Sequence, residues 1–316
     1  MRRAAEARPT GSGQKASAVA LARPESAGRC GTGGAATAGI IALDLDGTLL
    51  NSNKELTPGN VDALQKAAEA GYEIVPTTGR FFGAMPEEIR SLPFIRYAIT
   101  INGAQVEDLR TGEIIFRAEI PWEQAAEIMA YLDEKAVIYD CYMDNKGWMS
   151  EAMKEEMPEV VEDPHYRQLI YSHRQSVPEL KAFLADYCPA HGVDVQKIQL
   201  FVKYPELKPE IMGELPQRFE HIAVSSAIIQ NIEINQSHAN KGEALLALAD
   251  YLGVPRESTY AFGDGLNDLS MIREAGVGIV MENAFPELKA EADWITSSCD
   301  EDGVARGIEK YCLNKR

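Results

Sequence analysis

The first sustained apolar run in the chain, Gly39-Ile40-Ile41-Ala42-Leu43, passes directly into Asp44-Leu45-Asp46-Gly47-Thr48. Continuous apolar residues ending in carboxylates read as a buried parallel strand whose polar residues emerge at its C-terminal end, the edge where open α/β sheets place their chemistry. Alternation along such a strand sends Asp44 and Asp46 to the same side, and Gly47 lets the chain turn away. Thr57-Pro58 then opens a helix with Val61, Leu64 and Ala68 on one face, closed by Gly71. A strand over 72–76 runs into Thr77-Thr78-Gly79-Arg80, a helix over about 82–91 follows, and a strand over 97–101 ends in Asn102-Gly103-Ala104. Three successive βα units with polar residues at the same ends predict a doubly wound parallel sheet.

The rhythm then changes. Residues 106–120, with Thr111-Gly112 in the middle, read as a β-hairpin. Beyond them helical patterns (122–134, 177–187, 206–219) mix with β-like runs (136–143, 195–202), which predicts an inserted α+β domain over 122–227. Tyr142, Asn145, His165 and His173 lie within it and could touch a substrate, although an isolated His or Tyr is more often a packing or surface residue. A strand over 228–234 restores the βα pattern, followed by a helix over 240–252 and a strand over 259–262 that enters Gly263-Asp264-Gly265-Leu266-Asn267-Asp268. A strand over 277–281 before Glu282-Asn283-Ala284, a short strand at 294–296 and a helix over 303–311 complete a Rossmann-like core built from 39–121 and 228–316.

Residues 1–38 are rich in Ala, Gly, Ser, Thr and Arg and lack aromatics, so a disordered tail is expected. Its Arg-rich, acid-poor composition vaguely resembles a transit peptide, and its Gly31-Thr32-Gly33-Gly34 precedes the first strand, where a dinucleotide loop would follow one. The 316 residues carry a formal charge of −17, which argues against general affinity for nucleic acid or anionic membranes. No run of 18 apolar residues occurs. The five cysteines are widely spaced, so neither a disulfide framework nor a zinc site is indicated and a cytoplasmic setting is expected. No obligate protein partner is evident.

The strand ends offer Asp44, Asp46, Thr78, Asn102, Asp264 and Asp268, with Lys241 opening a helix. A lysine there opposes the helix dipole, so something else must favour it, and a bound phosphate would. Asp44 and Asp264 supply hard oxygen ligands of the kind Mg²⁺ takes together with water and substrate phosphate. Asp268 and Asn267, one turn on, are placed to orient Lys241 or the ligands of the metal.

These motifs resemble those of the haloacid dehalogenase superfamily: Asp44-Leu45-Asp46-Gly47-Thr48, then Thr78, then Lys241, then Gly263-Asp264 with Asn267-Asp268. The large insert, with Thr78-Gly79-Arg80, Asn102-Gly103-Ala104, Asn240-Lys241-Gly242 and Met281-Glu282-Asn283-Ala284, is similar to the Cof-type branch, subfamily IIB. That resemblance implies that the inserted domain is a cap and that the protein is a Mg²⁺-dependent phosphatase of a small phosphorylated metabolite, a sugar phosphate or phosphorylated cofactor. It implies Asp44 as nucleophile, Asp46 as general acid and base, and a metal bound by the Asp44 and Asp264 carboxylates and the Asp46 carbonyl. Thr78 and Lys241 would stabilise the transferring phosphoryl oxygens. Gly79, Arg80, Asn102 and Asn267 would assist in binding, and Asp268 and Asn283 would support them. A phosphomutase of the same superfamily and a non-catalytic phosphometabolite sensor are the alternatives.

Overall fold

The computed structural model describes residues 37–314 except 163 and 227–229, so the expected tail lies outside the described residues. In chain order, β1 (Gly39–Leu43) and β2 (Tyr72–Pro76) are followed by β3 (Tyr97–Thr100), β4 (Gln105–Asp108) and β5 (Glu113–Arg117), which form a three-stranded antiparallel sheet. Next come β6 (Val137–Met143), β7 (Lys146–Ser150), β8 (Arg174–Val177), β9 (Lys197–Val202), β10 (Ile222–Ser225) and β11 (Asn231–Gln236), which make one sheet of order β10-β11-β9-β6-β7-β8. Finally β12 (Thr259–Gly263), β13 (Val277–Val280) and β14 (Trp294–Ile295) join the first two strands in a parallel sheet of order β14-β13-β12-β1-β2.

The parallel sheet carries the expected α/β core. Every residue of β1 and β12 is buried, with Ile41 and Leu43 packed on one side and Ile40 and Ala42 on the other. Ile40 lies beside Thr259 and Leu43 beside Phe262, so β1 and β12 end side by side. That register brings Asp44 and Asp264 out at the same edge, since Asp44 N donates to Phe262 O.

Three expectations are corrected. β3 is not a regular strand of the parallel sheet. Alongside β2 it forms no regular ladder, only the isolated parallel bridges Ile74–Ile95 and Thr77–Ile99, and it pairs regularly with β4. The expected helix over 82–91 is a 3₁₀ turn (Phe82–Ala84) and a single helical turn (Glu87–Arg90) separated by Pro86, whose ring removes the N–H a continuous helix needs. The strand expected to restore the core at 228 instead belongs, as β11, to the six-stranded sheet, antiparallel to β9 and β10. Its sequence Asn-Ile-Glu-Ile-Asn-Gln alternates, which suits a strand with one apolar and one polar face better than one buried on both. The inserted region therefore runs to about residue 236, beyond the expected 227.

In the six-stranded sheet Tyr139, Cys141 and Met143 of β6 pack with Ile198 and Leu200 of β9 and Ile232 and Ile234 of β11 against the helices Trp122–Asp133 and Leu180–His191. The alternate residues, Asp140, Tyr142, Lys197, Gln199, Glu233 and Asn235, occupy the opposite face. Tyr142 joins Phe81, Ile101, Ala104 and Ala239 in a small cluster linking this face to the loops after β2 and β3.

Gly103 ties one of those loops to the Lys241 helix. Its φ is +94°, and a Cβ there would lie 2.3 Å from Asn240 O and 2.9 Å from Lys241 N, backbone atoms that have nowhere to go. Gly103→Ala should therefore lower unfolding free energy by at least about 2 kcal/mol, read as a reduced midpoint in urea titration.

Candidate active site

Lys241 is the first residue of the helix Lys241–Leu252, whose amino end is capped by Asn240 accepting a hydrogen bond from Glu243 N. Its Nζ donates to Asp44 Oδ1 and Asp268 Oδ1, both at 2.5 Å, and the ammonium is fully buried. Two carboxylates thus favour a lysine at this helix start, Asp268 among them, as its position one turn on suggested. Asp268 is fully committed, since its Oδ2 also accepts from Asp264 N and Gly265 N at 2.9 Å each. Thr48 Oγ1 donates to Asp264 Oδ1 at 2.8 Å. Asp44 Oδ2 and Asp264 Oδ2 are thus left without a hydrogen bond among the described residues. Gly47, with φ +89°, gives Asp264 its space, since a Cβ there would meet Asp264 Oδ2 at 2.4 Å.

Carboxylate oxygens of Asp44, Asp264 and Asp268 lie within 4.8 Å of one another. One ammonium faces three acids, so negative charge is in excess. Burial, then Asp268, pushes the Asp44 carboxyl well up, and the same two causes raise Asp264 to about 6. For Lys241, burial favours the neutral form, but Asp268 and Asp44 outweigh it and hold the ammonium charged. A divalent cation bound to the two unused oxygens would balance the cluster, and an all-oxygen donor set suits Mg²⁺. Lys241→Met would leave two acids buried without their cation. It should cost about 3–5 kcal/mol of stability in the metal-free protein, measured by chemical denaturation.

Asp46 sits apart from this group. Arg80 grips it through Nε at 3.0 Å and Nη2 at 2.8 Å, and Lys54 Nζ lies 3.1 Å from Oδ1. Burial would raise its carboxyl, but Arg80 and then Lys54 prevail and hold it below the usual range. Asp44 and Asp46 are thus each met by a separate cation, Lys241 and Arg80. Thr78 is buried, with its Oγ1 accepting from Arg80 N at 3.2 Å. Asn102, at φ +58°, donates through Nδ2 to Glu233 Oε2 at 2.7 Å. Asn283 braces the first turn by donating to Gly47 O and accepting from Cys299 N. Asn267 is exposed, its side chain folded over Gly265.

Of the residues singled out in the insert, Asn145 accepts from Phe82 N at 3.0 Å and Tyr142 packs edge-on against Phe81, so both reach the loop after β2. The His173 ring also packs edge-on against Phe81, and burial, then Arg174, lowers its pKa. The side chain of His165 lies outside the described residues. Sequence reasoning missed Lys54, Lys197 and Glu233. Lys197 Nζ donates to Gly79 O at 3.0 Å and to Glu233 Oε1 at 3.2 Å. The alternation of polar and apolar residues along β9 and β11 was the available signal.

The sheet edge and its acid cluster define a class, and comparison with known proteins assigns the family. The profile of the haloacid dehalogenase-like hydrolases matches residues 41–308, and the chain belongs to that family. It is 31% identical to phosphatase YwpJ of Bacillus subtilis over 284 residues, covering 84% of this chain and 97% of that protein. A haloacid dehalogenase-like hydrolase from Bacteroides thetaiotaomicron superposes with a TM-score of 0.72 at 28% identity, covering 86% of this chain and 98% of that one. A subclass IIB sugar phosphatase shares the fold, with a TM-score of 0.70 at 23% identity over 86% of this chain and 98% of its own. The chain is accordingly a phosphatase of the haloacid dehalogenase-like hydrolase family. Among the described residues no helix is long and apolar enough to cross a membrane.

Proposed function

We propose that the enzyme hydrolyses a small phosphorylated metabolite, with Mg²⁺, through an aspartyl-phosphate on Asp44. The observation that carries this reading is the buried Lys241 ammonium between Asp44 and Asp268, beside an Asp264 oxygen left free. Lys241 holds the Asp44 carboxylate in one orientation, so its unused oxygen side faces outward as a fixed nucleophile. Mg²⁺ held by the Asp44 and Asp264 carboxylates and the Asp46 carbonyl would offset charge on the phosphoryl group. Asp44 attacks phosphorus, the alcohol leaves with a proton from Asp46, and Asp46 then takes a proton from the water that hydrolyses the phosphoenzyme. Lys241, Thr78 and backbone N–H groups of the first turn stabilise the transferring oxygens.

Asp46, paired with two cations, is a poor acid as it stands. A substrate phosphate competing for Arg80 would relax that grip and restore its acidity. The six-stranded sheet serves as a cap whose polar face meets Gly79 and Asn102. Cys141, Cys188 and Cys299, buried and not disulfide-bonded, support a reducing, cytoplasmic setting. The test is phosphate release from a panel of phosphorylated metabolites with Mg²⁺. Release of inorganic phosphate supports hydrolysis, isomerised sugar phosphate without release would mark a phosphomutase, and binding without turnover a sensor.

A further inference from the structure

The face of the six-stranded sheet that meets the catalytic loops carries charge where a packed sheet would ordinarily carry apolar side chains. Arg174 Nε donates to Asp140 Oδ2 at 3.0 Å, with both side chains essentially sealed from solvent. Lys197 pairs with Glu233 at 3.2 Å, their side chains 2% and 13% exposed. Tyr142 lies between the two pairs, its hydroxyl accepting from Arg174 Nη2 at 2.6 Å and its ring centroid 4.6 Å from the guanidinium and 4.5 Å from the Lys197 ammonium. Buried ion pairs add little stability over an apolar replacement, so fold stability alone gives no reason for two of them here. Asp140 Oδ1 is moreover a buried acceptor with no partner among the described residues. An unfilled acceptor of this kind points to a donor that arrives from outside.

The position relative to the chemistry is fixed by two consecutive residues. Gly79 O receives Lys197, while Arg80 grips Asp46, the group assigned to the leaving oxygen. The Lys197–Glu233 pair therefore stands on the leaving-group side of the site. The two pairs together hold two cations and two carboxylates, which sum to zero, so this wall presents donors and acceptors without a net charge. A second phosphate or a carboxylate on the substrate would meet Asp140 and Glu233 with no uncompensated cation to receive it.

Resting on the phosphatase reading above, we infer that Lys197 and Glu233, backed by Arg174 and Asp140, select esters whose leaving group is uncharged and rich in hydroxyl or N–H donors, and reject those bearing a second anionic group.

The test compares glycerol phosphate with phosphoglycerate, which differ in a hydroxymethyl against a carboxylate. Each is measured as kcat/KM with Mg²⁺ or, where not turned over, as competitive inhibition of p-nitrophenyl phosphate hydrolysis. The wild-type enzyme should favour glycerol phosphate by about tenfold or more. Glu233→Gln leaves a net positive wall and should shift the ratio toward phosphoglycerate, whereas Lys197→Gln should shift it further toward glycerol phosphate. Opposite shifts cannot come from a general loss of packing. Equal preference in the wild type, or shifts of the same sign in the two variants, would overturn the assignment while p-nitrophenyl phosphate turnover leaves the phosphatase reading intact. Absence of that turnover would sink both.

Discussion

Replacing Asp44 with Asn should reduce phosphatase turnover by at least about a thousandfold, because the amide cannot attack phosphorus and the other carboxylates of the cluster are engaged or, at the second oxygen of Asp264, reserved for the metal. Asp268 has both oxygens engaged, and Asp264 Oδ1 is held by Thr48. The same substitution should leave the metal-free protein at least as stable as the wild type. Asp44 is buried beside Asp268, and its raised pKa reports that ionising it there costs free energy. An isosteric neutral side chain avoids that cost while Lys241 keeps Asp268 as its partner. Initial rates of phosphate release and urea titration of the same preparation check the two halves. Wild-type turnover in Asp44→Asn would remove Asp44 as nucleophile.

Chelation by EDTA should abolish turnover, and added Mg²⁺ should restore it. One ammonium faces three carboxylates, so the metal-free cluster carries an excess of negative charge that a dication relieves. Binding only the folded chain, Mg²⁺ at about a hundred times its Kd should add about 2.7 kcal/mol of stability, visible as a rise in the thermal midpoint. Asp264→Ala, lacking one of the two unused oxygens, should lose most of that rise. Turnover indifferent to EDTA, or a midpoint indifferent to Mg²⁺ in the wild type, would contradict the metal site.

The parts that were legible in the sequence are those where local chemistry and fold agree. The apolar runs of β1 and β12 admit one reading, buried parallel strands, and their ends deliver Asp44 and Asp264 to one edge as the motifs imply. The helix expected over 240–252 is present, capped by Asn240 and Gly253. What escaped depended on partners distant in sequence. β3 satisfies its backbone in a hairpin, a choice decided by the short, Pro86-broken connection before it. β7 and β8 are four or five residues long and pair in parallel across an intervening helical stretch, which no local periodicity reveals. Glu233 and Lys197 are not singled out by the sequence, because their partners lie far away in the chain. Only the closure of their sheet over Gly79 and Asn102 makes them buried.

If Asp46 is the proton donor proposed above, the guanidinium fork would keep the free enzyme disarmed. It would hold that donor as an anion until an arriving ester draws Arg80 away, so that the cargo itself would cock the reaction.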